Sequence, residues 1–232
     1  AGIIKPGCPA LTAIQRKVCD DVIAKRADEV GAPLYRLKAH FIDAMPEDLG
    51  LLGEHQRANA ALAAMAVQLF GNSTVIDQDA IFEGARNATW PARMQRLKKG
   101  PVTDIVPGLE VWLDGGHNPH AARAIAKQLQ GLPGKTALVT AMLASKDSTG
   151  YFMPFREVRP DVFTLPNAPG HQGADPQALA EAATNAGLKA TACGSLEDAM
   201  KAAAATGVDR ILICGSLYLA GDVLARNEEL PT

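Results

Sequence analysis

Leu113-Asp114-Gly115-Gly116-His117-Asn118-Pro119-His120 is the stretch on which the reading of the fold turns. It follows the short apolar run Glu110-Val111-Trp112-Leu113. It precedes AARAIAKQLQ, residues 121–130, whose apolar spacing is helical. A strand that ends in an aspartate, turns on two glycines and opens a helix is a common seat for part of a nucleotide. The glycines permit a tight turn, and a helix start presents unpaired N–H groups to an anion. Asp114, at the strand end, suits ribose hydroxyls, and His117 in the turn lies within reach of phosphate. The same residues also make an ordinary strand-to-helix loop with an Asn-Pro turn, and the stretch alone does not choose between the two.

Outward from this loop the segments alternate. Strands are expected at Met94–Leu97, Gly108–Leu113, Lys135–Met142, Asp161–Leu165, Ala190–Cys193 and Arg210–Cys214. Helices are expected at His120–Leu129, Ser148–Val158, Asp175–Ala186 and Ser195–Thr206. Asp175-Pro176 is a cap and first-turn pair, and Ser195 with Asp198 is a variant of the capping box. Residues Gly221 to Arg226 close the fold, and NEELPT is a polar tail. The near-continuous apolar character of Arg210–Cys214 indicates a strand buried on both faces. That implies a mainly parallel sheet with helices on each side, an α/β fold.

Upstream, Pro9–Ile14 is expected as a strand and Arg16–Val30 as a helix, with Val18, Val22, Ile23, Ala27 and Val30 on its apolar face. Leu34–His40 alternates like a strand. The three form a strand–helix–strand unit that reads as the closing part of an α/β domain. Glu54–Phe70 and Asp77–Asn87 are helical, with Met65 and Ile81, Phe82 and Ala85 inward. His55 and Asn59, four residues apart, share one face of the helix start. Trp90-Pro91 breaks the pattern, which places a domain boundary near Arg93.

Composition narrows the function classes. The 232 residues carry 23 basic and 25 acidic side chains, a net charge of −2, which gives no reason to expect binding to nucleic acid or to a membrane surface. No apolar run approaches the roughly 18 residues that span a bilayer. Four cysteines (Cys8, Cys19, Cys193 and Cys214) show no C-x-x-C spacing, so free buried thiols in a reducing, cytoplasmic compartment are expected. No His, Cys, Asp or Glu pair has metal-ligand spacing, and no Ser-His-Asp or Cys-His set emerges from order alone. Gly134-Lys135-Thr136 invites a P-loop reading and fails it. Position 129 is Leu129 where G-x-x-x-x-G-K-[ST] needs glycine, and the segment enters a strand instead of a helix.

Five segments, in order, resemble the folylpolyglutamate synthase and dihydrofolate synthase family of the Mur ligase superfamily. LDGGHNPHAA resembles its LDGAHNP, with Gly116 for Ala. GEHQRANAALA (Gly53 to Ala63) resembles G-x-H-Q-x-x-N-A, and TWPARMQ (Thr89 to Gln95) resembles W-P-G-R-L-Q, with Ala92 for Gly and Met94 for Leu. ILICGSLYLAG (Ile211 to Gly221) is similar to its terminal V-T-G-S-L-Y-L strand. AGIIKPGCP, at the start, resembles E-K-A-G-I-x-K-x-G-x-P without the leading Glu-Lys. On this pattern the chain is expected to be a fragment. Residues 1–92 would be the end of a central ATP-binding domain, and residues 93–232 a Rossmann-like carboxy-terminal domain.

The resemblance implies an ATP- and Mg²⁺-dependent ligase, in folate biosynthesis and one-carbon metabolism. It would join L-glutamate to dihydropteroate or a folate through an acyl phosphate. It implies adenine at Asn59 with His55 beside it, ribose at Asp114, phosphate at Arg93 and at a catalytic His117, and nucleotide near Ser216, all converging on one ATP. The residues also admit plainer readings: a polar helix start at Asn59, a linker arginine at Arg93, and a tight core turn at Gly215-Ser216. Lys146 and Asp147, after a strand end, suit either phosphate or solvent, and the role of His171 stays open. The P-loop and the Mg²⁺ ligands are expected on a preceding segment. The chain alone is therefore expected to be inactive, a monomer, with its own amino-terminal piece as a partner. A Mur-type peptidoglycan ligase fragment and a non-catalytic nucleotide-binding module are the alternatives.

Overall fold

The computed structural model describes residues 1–70 and 76–230, and divides into two compact units, Ala1–Thr89 and Trp90–Thr232. The division precedes Trp90, not Arg93, because the Ala92 carbonyl and the Met94 N–H are already bonded to Gly115 and Asp114 of the second unit.

In the first unit β1 (Ala10–Thr12) and β2 (Leu34–Arg36) pair in parallel, Ala10 opposite Leu34, joined by α1 (Lys17–Glu29). This is the expected strand–helix–strand unit. The α1 face is only partly used: Ala27 packs with Ile4 and Ala32, but Val18 and Val22 are 66% and 58% exposed, since a two-stranded sheet is too narrow to cover them. The strand expected to reach His40 stops at Arg36. Leu37 turns into the core and α2 (Ala39–Asp43) follows. Next come α3 (Glu54–Phe70) and α4 (Gln78–Asn87), the latter capped by Asp77, which accepts the Ala80 N–H at 2.7 Å. Both pack around Leu37, Met45 and Ala61, with Met65, Phe82 and Ala85 against them, as their spacing indicates.

The second unit is built on a six-stranded sheet. Its order is β3 (Gln95–Arg96), β4 (Glu110–Leu113), β8 (Arg210–Cys214), β5 (Thr136–Thr140), β6 (Val162–Thr164) and β7 (Ala190–Ala192). Only β3 is antiparallel to its neighbour; β4 to β7 form a parallel array. Successive residues serve opposite faces. Val111, Leu113, Ala137, Val139, Ile211 and Ile213 face a core closed by α8 (Leu196–Ala204) and α9 (Leu217–Arg226). Trp112, Leu138, Leu212 and Cys214 face the other core, closed by α5 (Pro119–Gln130), α6 (Ser148–Phe152) and α7 (Pro176–Asn185). Burial on both sides is why these strands read as unbroken apolar runs. Asp175 and Ser195 cap α7 and α8 through the N–H groups of Ala178 and Asp198.

Three local expectations are corrected. The helix expected over Ser148–Val158 is α6 followed by a 3-10 turn at Met153–Arg156, because Pro154 has no N–H to continue the α ladder. The LYL of the GSLYL segment is not strand. It opens α9, which starts at Leu217 and takes in the closing residues Gly221 to Arg226. Gly215, at φ +99°, makes the break, and a Cβ there would lie 2.5 Å from the Ala141 carbonyl oxygen. The polar tail begins later than expected, since Asn227 is buried. Its Oδ1 accepts the Val102 N–H at 3.0 Å and its Nδ2 donates to the Lys98 carbonyl at 3.0 Å.

Candidate functional site

Four of the six residues singled out from sequence lie in the second unit: Arg93, Asp114, His117 and Ser216. Parallel α/β sheets place ligands at the carboxyl ends of their strands, and Asp114 follows β4 while Ser216 follows β8. The two loops are tied together, with the Gly215 N–H donating to the Gly116 carbonyl at 3.0 Å and the Asp114 N–H to the Ile213 carbonyl at 2.9 Å. Asp114 is 6% exposed. One carboxyl oxygen accepts the Met94 N–H at 2.9 Å and the other the Gly116 N–H at 2.7 Å. Its first visible work is thus to bind backbone.

Both helix starts are less open to anions than the sequence pattern implies. The Asn118 side chain accepts the N–H groups of His120 and Ala121 at the head of α5, at 3.1 and 3.0 Å. Ser216 does the same for Tyr218 and Leu219 at the head of α9, at 3.2 and 3.3 Å. His117 is half-buried, with Nδ1 3.0 Å from the Gly115 carbonyl oxygen. Nδ1 therefore carries the proton in the neutral ring, leaving Nε2 as an acceptor. Arg93 is exposed and makes no side-chain hydrogen bond or ion pair among the described residues.

A pocket of ≈ 240 Å³ opens beside these loops, lined by His117, Leu143, Lys146, Ser216, Leu217 and Tyr218. Lys146 is half-buried, and its ammonium has no partner among the described residues. Asp147, its neighbour, caps α6 by accepting the Gly150 N–H at 2.8 Å, so it is structural. His171 stacks on Tyr218, centroids 3.5 Å apart at 17°. Tyr218 and Leu143 were not legible as site residues; they arrive through the Gly215 turn and the loop after β5.

Asn59 and His55 belong to the first unit. Asn59 lines an apolar pocket of ≈ 430 Å³ between α3 and α4, with Gln56, Ala60, Ala63, Ile81 and Ala85 among its walls. That volume falls within the roughly 300–1,000 Å³ usual for small-ligand pockets. Buried Gln56 accepts from Asn59 Nδ2 at 2.9 Å, which fixes the amide. His55 is exposed at the start of α3. Among the described residues no three His, Cys, Asp or Glu side chains are grouped to hold a metal ion, and no helix is long and apolar enough to cross a membrane.

Taken as a fold, the second unit is a doubly wound α/β domain whose polar loops gather at the carboxyl edge of a parallel sheet. Residues 92–217 match the family described as Mur ligase, glutamate ligase domain, and the chain belongs to that family. Among curated relatives, it is 32% identical over 162 residues to human mitochondrial folylpolyglutamate synthase, covering 58% of this chain and 26% of that protein. To the Escherichia coli K12 dihydrofolate synthase/folylpolyglutamate synthase it is 30% identical over 168 residues, covering 72% of this chain and 37% of that protein. Escherichia coli FolC in complex with DHPP and ADP superposes with a TM-score of 0.73 at 26% identity, covering 97% of this chain and 54% of that one. Mycobacterium tuberculosis folylpolyglutamate synthase with ADP and AMPPCP reaches a TM-score of 0.81 at 24% identity, over 97% and 56% of the two chains, which speaks for the fold. The chain spans about a quarter to two-fifths of the length of these curated relatives, and about half of the solved ones.

Proposed function

We propose that this chain is the nucleotide- and amino-acid-handling portion of an ATP-dependent ligase that adds L-glutamate to dihydropteroate or a (poly)glutamyl folate. The observation that carries the reading is the Asn59 pocket: apolar walls suited to a flat base, and one amide held by Gln56 so that its Oδ1 is presented as an acceptor. An adenine amino group is the matching donor. The relatives with printed ligands support this, since FolC was solved with DHPP and ADP and a Yersinia pestis relative with AMPPNP and Mn ion.

A carboxylate is a poor electrophile at neutral pH. Transfer of the ATP γ-phosphoryl group to it makes an acyl phosphate, which the glutamate amine attacks to give an amide and release phosphate. In this chain Asn59 holds adenine, Arg93 neutralises phosphate charge as a permanently charged fork, and the acceptor Nε2 of His117 takes the proton that the glutamate nitrogen loses as the amide forms. The pocket of Lys146, Ser216 and Tyr218 receives the amino acid, where an unpaired ammonium suits a carboxylate. Mg²⁺ screens the moving phosphoryl group in such reactions. The described residues offer it no cluster of acids or histidines. Its ligands, and a G-x-x-x-x-G-K-[ST] loop that these 232 residues lack, are supplied from outside them. The free thiols fit a reducing compartment, although of the four expected to be buried only Cys214 is, Cys8 being exposed and Cys19 and Cys193 half-buried; the ligase acts as a monomer.

Calorimetric titration with ADP tests the reading. Saturable binding is expected, weakened roughly tenfold or more by Asn59→Ala, with GDP bound more poorly than ADP. Equal affinities of the wild type and Asn59→Ala would remove the adenine assignment. The chain alone is expected to give no glutamate-dependent ADP release. Once the G-x-x-x-x-G-K-[ST] loop is supplied, turnover of dihydropteroate but not of UDP-muramoyl acceptors is expected.

A further inference from the structure

We propose that Asp114 is a positioning residue. On this view its carboxyl group locks the turn that presents Arg93, and the grip on phosphate belongs to the guanidinium. The inference rests on the nucleotide reading above for its functional consequence, and on backbone geometry for its substance.

The residues on both sides of Arg93 lie in the left-handed region, Ala92 at φ +54° and Met94 at φ +44°. Side chains with a Cβ rarely sit there, because the Cβ crowds the following carbonyl oxygen. Two such residues separated by one position persist only where neighbouring bonds enforce them. Four enforcing bonds are visible. The Ala92 N–H donates to Gln95 Oε1 at 2.9 Å, and the Ala92 carbonyl accepts the Gly115 N–H at 2.8 Å. The Met94 N–H donates to Asp114 Oδ2 at 2.9 Å, and Oδ1 of the same carboxyl accepts the Gly116 N–H at 2.7 Å.

Burial sorts the three side chains. Ala92 and Met94 are 5% and 3% exposed, while Arg93 between them is exposed and unpartnered among the described residues. Asp114 therefore joins two backbone segments twenty residues apart, the Arg93 turn and the glycine loop. A carboxyl group suits this because it has two oxygens to accept with and nothing to donate when ionised. An asparagine would turn an amino group towards one of the two N–H donors.

The test separates holding the turn from touching the ribose. Backbone hydrogen exchange at Met94 and ADP titration are measured for the wild type, Asp114→Asn, Ala92→Gly, Arg93→Ala and the double variants. Asp114→Asn is expected to lose the protection of the Met94 amide and to weaken ADP binding roughly tenfold or more. Ala92→Gly removes one strained residue, so it is expected to restore most of that loss in the Asp114→Asn background. In the Arg93→Ala background, Asp114→Asn is expected to add nothing, and 2′-deoxy-ADP should lose the same factor on the wild type and Asp114→Asn. Additive losses, no rescue by Ala92→Gly, or an unchanged Met94 amide in Asp114→Asn would overturn the proposal. If Asp114→Asn does not fold, Asp114→Glu replaces it, with the same rescue expected. Should the wild type bind no ADP, the nucleotide reading fails; the Met94 exchange and its rescue still decide the positioning role.

Discussion

Arg210 and Glu110 are register partners at the amino ends of β8 and β4, and their side chains meet with Nε 3.2 Å from Oε2. The arginine side chain is 7% exposed, lies 5.5 Å over the Trp112 ring and donates to the Pro133 carbonyl. Removing Arg210 leaves Glu110 with the cation of Arg96 alone and strips the Pro133 carbonyl of its donor at a buried position. Arg210→Ala is expected to cost on the order of 2–4 kcal/mol, read from urea unfolding, and an unchanged midpoint would contradict it.

The same cluster sets an acid limit. The Trp112 N–H foremost, then Arg96 and Arg210, hold the Glu110 carboxyl below the ordinary glutamate value of 4.5. A folded-state value below the unfolded one means stability that is present above about 4.5 and is lost as pH falls through the lowered value. Glu110→Gln is expected to flatten the melting temperature against pH in that window. An identical slope in both proteins would rule the group out.

Burial pushes the Cys214 thiol up from 9.0 to about 11. Its stabilising contribution is present below about 9 and is lost as pH rises towards 11. Because the thiolate is the reactive form, an aromatic disulfide reagent at neutral pH should label exposed Cys8 first. Cys214 should be labelled only on unfolding. Prompt labelling of Cys214 in the native protein would overturn this.

Lys146 and Asp147 should separate cleanly. Asp147 caps α6, so Asp147→Ala is expected to lose about 1 kcal/mol of stability with ligand affinity little changed. Lys146→Ala is expected to leave the melting temperature alone and to weaken glutamate binding in the proposed pocket. The reverse pattern would exchange the two roles.

Gly215→Ala should strain the β8–α9 turn twice, through φ +99° and through a Cβ 2.5 Å from the Ala141 oxygen. A loss of about 1–3 kcal/mol is expected, measurable by thermal melting; no shift would show that the turn relaxes.

The parallel sheet was legible because its strands are short, apolar and separated by helices with recognisable caps, such as Asn118-Pro119 and Asp175-Pro176. Where long-range geometry decides, local pattern failed. Leu217-Tyr218-Leu219 reads as strand only through the resemblance of GSLYL to a terminal strand, and the approach of Ala141 to Gly215 reveals the turn that makes it helical. The loop at Asp114 was found by its sequence, yet the acceptor role of its carboxyl depends on the Met94 N–H, a partner that no spacing rule anticipates. The role of Lys146 stays open in the sequence, because pocket walls contributed by three separate loops do not show in one-dimensional order.

Asn227, buried behind the segment that follows β3, gives the second unit a clasp: its final residues secure its opening ones. A change at Asn227 would therefore be felt at two places at once, freeing Lys98 and Val102 while it uncaps the end of α9.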